Sequence, residues 1–285
     1  MADQKTKLKM ALIQLTVVED KMDNVARAIR RIDEASANGA DIVVLPEFFN
    51  APVGEEGAKA NCEEINGPCT KVLSEAARRN RIYLLAGSMP ELENGKRYNT
   101  CPVFDPTGQL IAKFRKIHLF DIDIPGKMSC RESDVMTPGS QPVIIDLDPF
   151  KIGIGICHDL RFNELSRLYT QFGCNVLVFP SAFTVPTGEL YWELLARSQA
   201  ANNQAYSCLC SPSRQSKGCY TIYGHSMVVD PWGTVISSAE TEETIIYAEL
   251  DIKRVEEVRQ AIPVTLQRRE DIYKTMSIKE PFVAK

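Results

Sequence analysis

Short apolar runs alternate with amphipathic stretches along the first third of the chain. Residues 10–15 are apolar except for Gln14, and residues 42–45 are a continuous apolar run; both are typical of buried strands. The apolar residues between them recur at helical spacing: Val25, Ala28, Ile29, Ile32 and Ala35. Asn38-Gly39 then provides a helix stop. The cycle repeats with a helix over 70–79 and a strand over 82–86. This alternation indicates an α/β fold.

The same reading extends to the end of the chain. A hairpin is predicted over 98–104 and 110–117, because Asp105-Pro106-Thr107-Gly108 is a good turn sequence. Residues 120–141 are polar and rich in Gly and Pro, which predicts a long functional loop. The remaining pattern predicts strands over 152–156, 176–179, 207–210, 223–229 and 244–250, a helix over about 165–172, another over 191–205, and a short one near 255.

Two segments resemble each other. The sequence VLPEFF at 44–49 and the sequence VFPSAF at 178–183 each close a buried strand that follows a helix. Two such halves predict two sheets packed face to face with helices outside, a four-layer α-β-β-α sandwich. No linker-like stretch divides the chain, so residues 1–285 are predicted to form a single domain, with a core over about 8–260 and a tail over 261–285.

Composition restricts the function classes. The 285 residues are 44% apolar and 25% charged, with a net charge of -4 and no cluster of Lys or Arg. A nucleic-acid or anionic-membrane partner is therefore not expected. No apolar window is long enough to span a bilayer, and the N-terminal sequence lacks the apolar region of a signal peptide. These features predict a cytoplasmic protein, with a mitochondrial share left open.

The nine cysteines are odd in number and irregularly spaced, so reduced thiols, mostly in the core, are favoured over a disulfide framework. No Cys/His cluster has the spacing of a metal site, and no metal is expected. Gly153 and Gly155 lack the third glycine of a dinucleotide loop, so no cofactor is predicted from this segment.

Cys157 stands out because it ends an apolar strand and opens a helix. This placement is the geometry of a nucleophile elbow, which exposes the side chain and turns backbone N–H groups toward an oxyanion. A helix N-terminus would also lower the pKa of the thiol. A buried core cysteine is an equally good interpretation of this residue alone.

Glu47 and Lys116 also occupy unusual positions. Glu47 follows the apolar run 42–45, and its apolar neighbours are expected to raise its pKa toward that of a working base. Lys116 continues the apolar face of the hairpin strand, where a cation needs a carboxylate partner or a chemical role. Lys113 and Arg115 look like ordinary solvated charges. The alternative for Glu47 is an exposed position in a surface loop, which is the more usual location of a glutamate.

Taken together, Glu47, Lys116 and Cys157 resemble the catalytic set of the nitrilase superfamily, the carbon–nitrogen hydrolases. The matching segments are LPE at 45–47, RKIHL at 115–119, GICHDLRF at 155–162, YWELLAR at 191–197, GHS at 224–226 and DPWG at 230–233. Within that superfamily, FDIDIPGK at 120–127 with RES at 131–133 is most similar to the omega-amidase branch.

The resemblance implies a fold, a reaction and a set of roles. It implies an α-β-β-α sandwich that pairs as a homodimer through helices, with no metal and no cofactor. Glu47 would be the general base, Lys116 would stabilise the tetrahedral intermediate, and Cys157 would be the nucleophile. Glu132 matches a second glutamate that orients the lysine and substrate.

The resemblance also implies a substrate site. The substrate would be a small amide, such as alpha-ketoglutaramate or alpha-ketosuccinamate, whose carboxylate would bind Arg161. Phe183 and Thr187 match pocket positions, and His158 would contribute its backbone N–H to the oxyanion hole.

Two departures from the branch concern specificity. His158 replaces the tyrosine of most relatives, and Val53 stands where omega-amidases commonly carry tyrosine. The alternatives are a sister hydrolase acting on deaminated glutathione or N-carbamoyl amino acids, or a non-catalytic scaffold. An intact Glu47, Lys116 and Cys157 argues against the scaffold.

Overall fold

The computed structural model describes residues 6–126 and 128–285, so Lys127 of the matched segment 120–127 lies outside the described residues. The strands are β1 (Lys7–Gln14), β2 (Ile42–Val44), β3 (Tyr83–Leu85), β4 (Met89–Glu93), β5 (Lys96–Phe104), β6 (Leu110–Arg115), β7 (Asp121–Ile124), β8 (Met128–Arg131), β9 (Val143–Leu147), β10 (Phe150–Ile154), β11 (Val176–Pro180), β12 (Tyr206–Cys210), β13 (Met227–Val229), β14 (Val235–Ser238), β15 (Thr244–Asp251) and β16 (Phe282–Ala284). The helices are α1 (Lys21–Ala37), α2 (Glu55–Asn61), α3 (Pro68–Asn80), α4 (Asn163–Gln171), α5 (Val185–Asn203) and α6 (Ile252–Ala261).

Two seven-stranded sheets form the centre of the molecule. The first has the order β15-β1-β2-β3-β5-β4, with β6 also paired to β5, and the second has the order β14-β13-β12-β11-β10-β9-β16. Strands β1, β2 and β3 are parallel in the first sheet, as are β10, β11 and β12 in the second. The two segments that resemble each other follow β2 and β11, the middle strand of each parallel set.

Side chains on β1 show how the layers stack. Met10 and Leu12 join a core cluster shared with the second sheet, whereas Ala11 and Ile13 join a cluster with residues of α1 and α3. Successive side chains of a strand point to opposite faces, so the first sheet lies between helices and the second sheet. On the far side, α4 packs on β10 and α5 packs on β12. The order helix, sheet, sheet, helix confirms the predicted fold class.

Three predictions about local structure were wrong. The segment 120–141 is not simply a loop, because β7 and β8 form a two-stranded hairpin within it. The strand predicted over 223–229 begins only at Met227, and His225 precedes it with a left-handed φ of 58°. Helix α5 begins six residues before the predicted 191, since the Thr184 hydroxyl accepts a hydrogen bond from the Thr187 amide at its N-terminus.

The apolar pattern also missed several short elements, namely α2, β4, β9, β14 and β16. The cysteines agree with expectation, since all nine are free thiols and five besides Cys157 are buried: Cys69, Cys101, Cys174, Cys208 and Cys210. Among residues 6–126 and 128–285, no helix is both long and apolar enough to cross a membrane.

Candidate active site

The loops that follow three strands bring the predicted residues together. Glu47 lies just beyond β2, Lys116 follows β6 directly, and Cys157 lies just beyond β10. Both sheets therefore contribute to one place, at the carboxyl ends of the parallel strands where α/β sheets hold their ligands. A small pocket is lined by Glu47, Lys116, Phe120, Cys157, His158, Arg161, Ala182, Phe183 and Tyr220.

The backbone at Cys157 has the shape expected of an elbow. Its φ is 48°, in the left-handed region that residues other than glycine rarely adopt. A short 3-10 turn, Cys157–Arg161, follows, and α4 begins only at Asn163. The prediction that Cys157 itself opens the α-helix was therefore wrong, although the sharp turn after the strand is present.

A buried charge cluster surrounds Lys116. Its Nζ lies 3.0 Å from Oε1 of Glu47 and 2.8 Å from Oε2 of Glu132. The Lys116 side chain is 2% exposed and that of Glu47 is 3% exposed. Asn99, fully buried on β5, donates from Nδ2 to Oε1 of Glu47 at 2.9 Å and to Oε1 of Glu132 at 3.2 Å. The Phe120 amide donates to Oε2 of Glu132 at 2.7 Å.

The buried cluster shifts the pKa values of Glu47 and Lys116. Burial raises the pKa of Glu47, although the neighbouring Lys116 ammonium opposes the shift. Burial alone would lower the pKa of Lys116, but the charges of Glu132 and Glu47 outweigh it and hold that pKa well above its usual range. The raised pKa of Glu47 confirms the direction predicted from its apolar neighbours, and it suits a group that must accept a proton.

The thiol of Cys157 differs from the sequence prediction. Burial and then the Glu47 carboxylate raise the pKa of Cys157 well above its usual value, against the opposing effect of Lys116. The predicted lowering by a helix N-terminus was wrong, because the following turn is short and the thiol is only 6% exposed. The resting sulfur is therefore a neutral thiol that is hydrogen-bonded to Glu47.

Of the four residues predicted for the substrate site, three line the pocket and one does not. Arg161 lines the pocket, its guanidinium 4.3 Å from the centre of the Tyr191 ring, and none of the ion pairs among the described residues includes it. Phe183 also lines the pocket. Thr187 does not, since its hydroxyl bonds to Thr184 at the start of α5.

His158 lies at the pocket with a neutral ring. Burial, followed by the charges of Lys116 and Arg161, lowers the pKa of His158 to about 4. Its ring meets Phe120 and Phe162 edge to face. An uncharged side chain at this position leaves Lys116 and Arg161 as the cations of the pocket.

Sequence reasoning missed Asn99, Ala182 and Tyr220. Asn99 had a weak signal, since an asparagine amide within a predicted strand needs a hydrogen-bond partner if it is buried. Ala182 and Tyr220 had none, because a backbone group and an aromatic wall carry no distinctive pattern. Ala182 lies where its backbone contacts the Cys157 sulfur, and its carbonyl accepts from the Tyr220 hydroxyl at 2.8 Å.

A larger cavity of about 440 Å³ adjoins this pocket and shares Phe120 and Tyr220 with it. Its walls are mainly apolar and include Phe48, Val53 and Met136, and it reaches Glu132 but neither Cys157 nor Lys116. Among the described residues, no three His, Cys, Asp or Glu side chains are arranged to hold a metal ion.

Comparisons with known proteins agree with this geometry. The sequence profile of the carbon-nitrogen hydrolase family matches residues 9–260. The omega-amidase NIT2 of Homo sapiens is 49% identical over 276 residues, which cover 97% of this chain and 100% of that protein. The omega-amidase NIT2 of Danio rerio is 47% identical over 275 residues, covering 96% and 99%. The crystal structure of Saccharomyces cerevisiae Nit3, a member of branch 10 of the nitrilase superfamily, has a TM-score of 0.85 and 41% identity, covering 93% of this chain and 98% of that one. The chain belongs to the carbon–nitrogen hydrolase family of the nitrilase superfamily.

Proposed function

We propose that this chain is an omega-amidase, which hydrolyses the terminal carboxamide of small dicarboxylic acid monoamides such as alpha-ketoglutaramate and alpha-ketosuccinamate. The observation that carries the proposal is the Arg161 guanidinium, which lines the same small pocket as Cys157 and takes part in no ion pair of the described residues. Two relatives named omega-amidase, similar along nearly their whole length, support it.

The chemistry begins with Glu47 as general base. It accepts the thiol proton of Cys157, and the sulfur then attacks the amide carbonyl carbon. Because the resting thiol has a raised pKa, this transfer needs the raised pKa of the buried Glu47 carboxylate as well. The oxygen that becomes negative is stabilised by the Lys116 ammonium and by the backbone N–H of His158.

Collapse of the tetrahedral intermediate breaks the carbon–nitrogen bond. Glu47 returns the proton to the departing nitrogen, so ammonia leaves and a thioester remains on Cys157. A water molecule, deprotonated by Glu47, then attacks the thioester carbonyl, and the sulfur leaves as a thiol when it regains the proton. The sum is amide plus water giving acid plus ammonia. In this account Glu132 and Asn99 hold Glu47 and Lys116 in place through the whole cycle.

The substrate class follows from the charge of the pocket. Arg161 presents a planar guanidinium that can bind a carboxylate through two parallel hydrogen bonds. Stacking on Tyr191 holds that group in one orientation. A substrate with an amide at one end and a carboxylate at the other would span the distance from Cys157 to Arg161.

A second candidate is a sister hydrolase that acts on a longer monoamide, such as deaminated glutathione. The adjoining cavity of about 440 Å³ favours it, since this volume exceeds what a five-carbon monoamide would need. Val53 lies in its wall, so Val53→Phe should slow turnover of the longer substrate and leave the short one unaffected. Equal effects on both substrates would reject this candidate.

We also propose that the chain forms a homodimer through α5. Leu190 and Leu194 are 65% and 63% exposed and lie four residues apart on that helix, which places them on one face. Tyr191 is partly exposed beside them. A partner helix covering this face would remove these apolar side chains from water.

The decisive experiment is a panel of amides in which the released amine is measured, as ammonia for the short monoamides and as the freed peptide for deaminated glutathione. The wild-type chain, Cys157→Ala and the buried control Cys101→Ala should be compared on short monoamides, deaminated glutathione and N-carbamoyl amino acids. We expect ammonia from short monoamides with wild type and Cys101→Ala only, and a thioester adduct on Cys157 by mass spectrometry. Carbon dioxide release would mark a carbamoylase, and full activity in Cys157→Ala would end the mechanism.

A further inference from the structure

We propose that Asp159 is a positioning residue that fixes the distance between the loop carrying Cys157 and the loop carrying Lys116. The proposal rests on the proposed amidase function, since it assigns a role in that reaction. Asp159 falls in the matched segment 155–162, but the sequence assigned it no role, and it lies outside the charge cluster around Lys116.

The fully buried carboxylate of Asp159 makes three short contacts. Oδ2 of Asp159 accepts the Ile156 amide at 2.9 Å, and Oδ1 accepts the His118 amide at 2.8 Å. The same Oδ1 lies 2.7 Å from Nδ1 of His118. Ile156 immediately precedes Cys157, and His118 comes two residues after Lys116. One side chain therefore bonds to the backbone of both catalytic loops.

The loop of Cys157 needs such support. A left-handed φ at a cysteine persists only when the surrounding structure holds it. The bond from the Ile156 amide to Asp159 closes the turn directly around the nucleophile. The backbone bond from the Asp159 amide to the Ile156 carbonyl at 3.0 Å closes the same turn, and the side-chain bond adds a second constraint on the direction of the sulfur.

The loop of Lys116 is also held by an aromatic contact with the residue that follows the Cys157 turn. The His118 ring stacks on Phe162, with ring centres 3.6 Å apart and planes 9° apart. Phe162 directly follows the turn that contains Asp159. The two loops therefore contact each other behind the reacting groups, through the stack of His118 on Phe162 and through the hydrogen bonds of the Asp159 carboxylate.

The central test is Asp159→Asn. An asparagine keeps the size but replaces one acceptor oxygen with an NH₂ group, which would face a backbone N–H. Misplacing reacting groups by about 1 Å costs roughly 10²-fold in rate, so we expect kcat to fall ~10²-fold. KM for a short monoamide should change by less than about 3-fold, because Asp159 does not line the substrate pocket.

A matched control separates positioning from ordinary stability. Tyr169→Phe removes another fully buried polar group close to the Cys157 loop, since its hydroxyl donates to the carbonyl of Ile154, the last residue of β10, at 2.6 Å. This variant should lose stability and keep kcat. His118→Phe keeps the stack on Phe162 and the backbone bond to Asp159, and its kcat should fall by only a few-fold.

A second readout does not depend on amide turnover. Iodoacetamide should alkylate Cys157 more slowly in Asp159→Asn, and the midpoint of its pH profile should rise because the sulfur moves away from Lys116. Removing a negative charge without displacement would move the midpoint down instead. The exposed Cys219 serves as internal standard, since its labelling should not change.

The outcomes separate the two proposals. An unchanged labelling rate and pH midpoint at Cys157, a kcat equal to that of Tyr169→Phe, or a rise in KM alone would each overturn the role of Asp159. Altered labelling of Cys157 in a chain that hydrolyses no amide would support that role while rejecting the amidase. Should Asp159→Asn not fold, hydrogen exchange in the wild type decides. Slow exchange of both the Ile156 and His118 amides is expected, and fast exchange at either would contradict the proposal.

Discussion

Lys116→Met is the most informative single change in this protein, because Lys116 is the cation between the buried carboxylate of Glu47 and the partly buried carboxylate of Glu132. Its Nζ contacts Glu47 at 3.0 Å and Glu132 at 2.8 Å, and the lysine side chain is 2% exposed. Methionine keeps the length and removes the charge. Removing one partner of a buried ion pair costs about 3–5 kcal/mol, because the remaining charge is left uncompensated. Activity should fall by about 10²–10³ if the ammonium stabilises the oxyanion.

The cost should depend on pH in a defined direction. Lys116 lowers the pKa of Glu47, so its removal raises further a pKa that burial has already raised. A carboxyl whose pKa is raised in the folded state favours folding below its unfolded pKa of about 4.3 and loses that contribution as pH rises. The deficit of Lys116→Met should therefore be largest near pH 8 and shrink toward pH 5.

Urea unfolding, followed by the fluorescence of the buried Trp192, measures the free energy of unfolding. The double variant Lys116→Met/Glu47→Gln is the matched control, since it removes both members of the pair. It should regain much of the lost stability and stay inactive. A deficit below about 1 kcal/mol at pH 8, or a double variant no more stable than the single one, would refute this account of the cluster.

Three further results are expected. Arg161→Lys should raise KM for a monoamide carrying a carboxylate at least ~10-fold and leave KM for an uncharged amide unchanged, because lysine cannot form the bidentate contact or the stack on Tyr191. Leu190→Lys with Leu194→Lys should yield monomers in sedimentation experiments, and an unchanged dimer would place the interface elsewhere. Burial raises the pKa of Cys208 far above its usual value, so its thiol ionises only on unfolding and stability should fall above pH 9. Cys208→Ala should reduce that slope by about 1.4 kcal/mol per pH unit, as measured by urea unfolding.

Much of the fold could be predicted because buried strands of parallel sheets are continuous apolar runs. The central strands β1, β2, β10, β11 and β12 were all found in this way. Segment 120–141 was predicted as a loop because its hairpin strands are only four residues each and largely exposed, so the alternation of Asp and Ile in β7 is too short to stand out. Short elements at sheet edges leave the same weak signal.

The sequence singled out Glu47, Lys116 and Cys157 where residue type and strand position agreed, and the structure brings all three into one pocket. Their catalytic roles stay predictions. The sequence prediction was wrong where tertiary burial outweighed a local rule. The local rule predicted a lowered pKa for Cys157, but burial beside a carboxylate raises it. Lys113 and Arg115 were likewise predicted to be solvated, yet both pair with Glu91.

That pairing shows what a single strand cannot reveal. Glu91 is fully buried, accepts two hydrogen bonds from Arg115 at 2.7 Å, and lies 2.7 Å from Nζ of Lys113. The partner carboxylate comes from β4, a strand that the sequence pattern missed. The periodicity of the sequence predicts a contact between two strands only when it has predicted both strands.

The groups of the proposed mechanism come from both sheets. Glu47 and Lys116, the proposed base and ammonium, lie at loop ends of the first sheet, and Cys157, the proposed nucleophile, lies at a loop end of the second. The turnover rate should therefore depend on how accurately the two sheets are positioned relative to each other. A small displacement of one intact sheet relative to the other would abolish turnover, although the circular dichroism spectrum would remain that of the native protein. Any solvent, temperature or substitution that loosens the layer between the sheets should abolish turnover well before the chain unfolds.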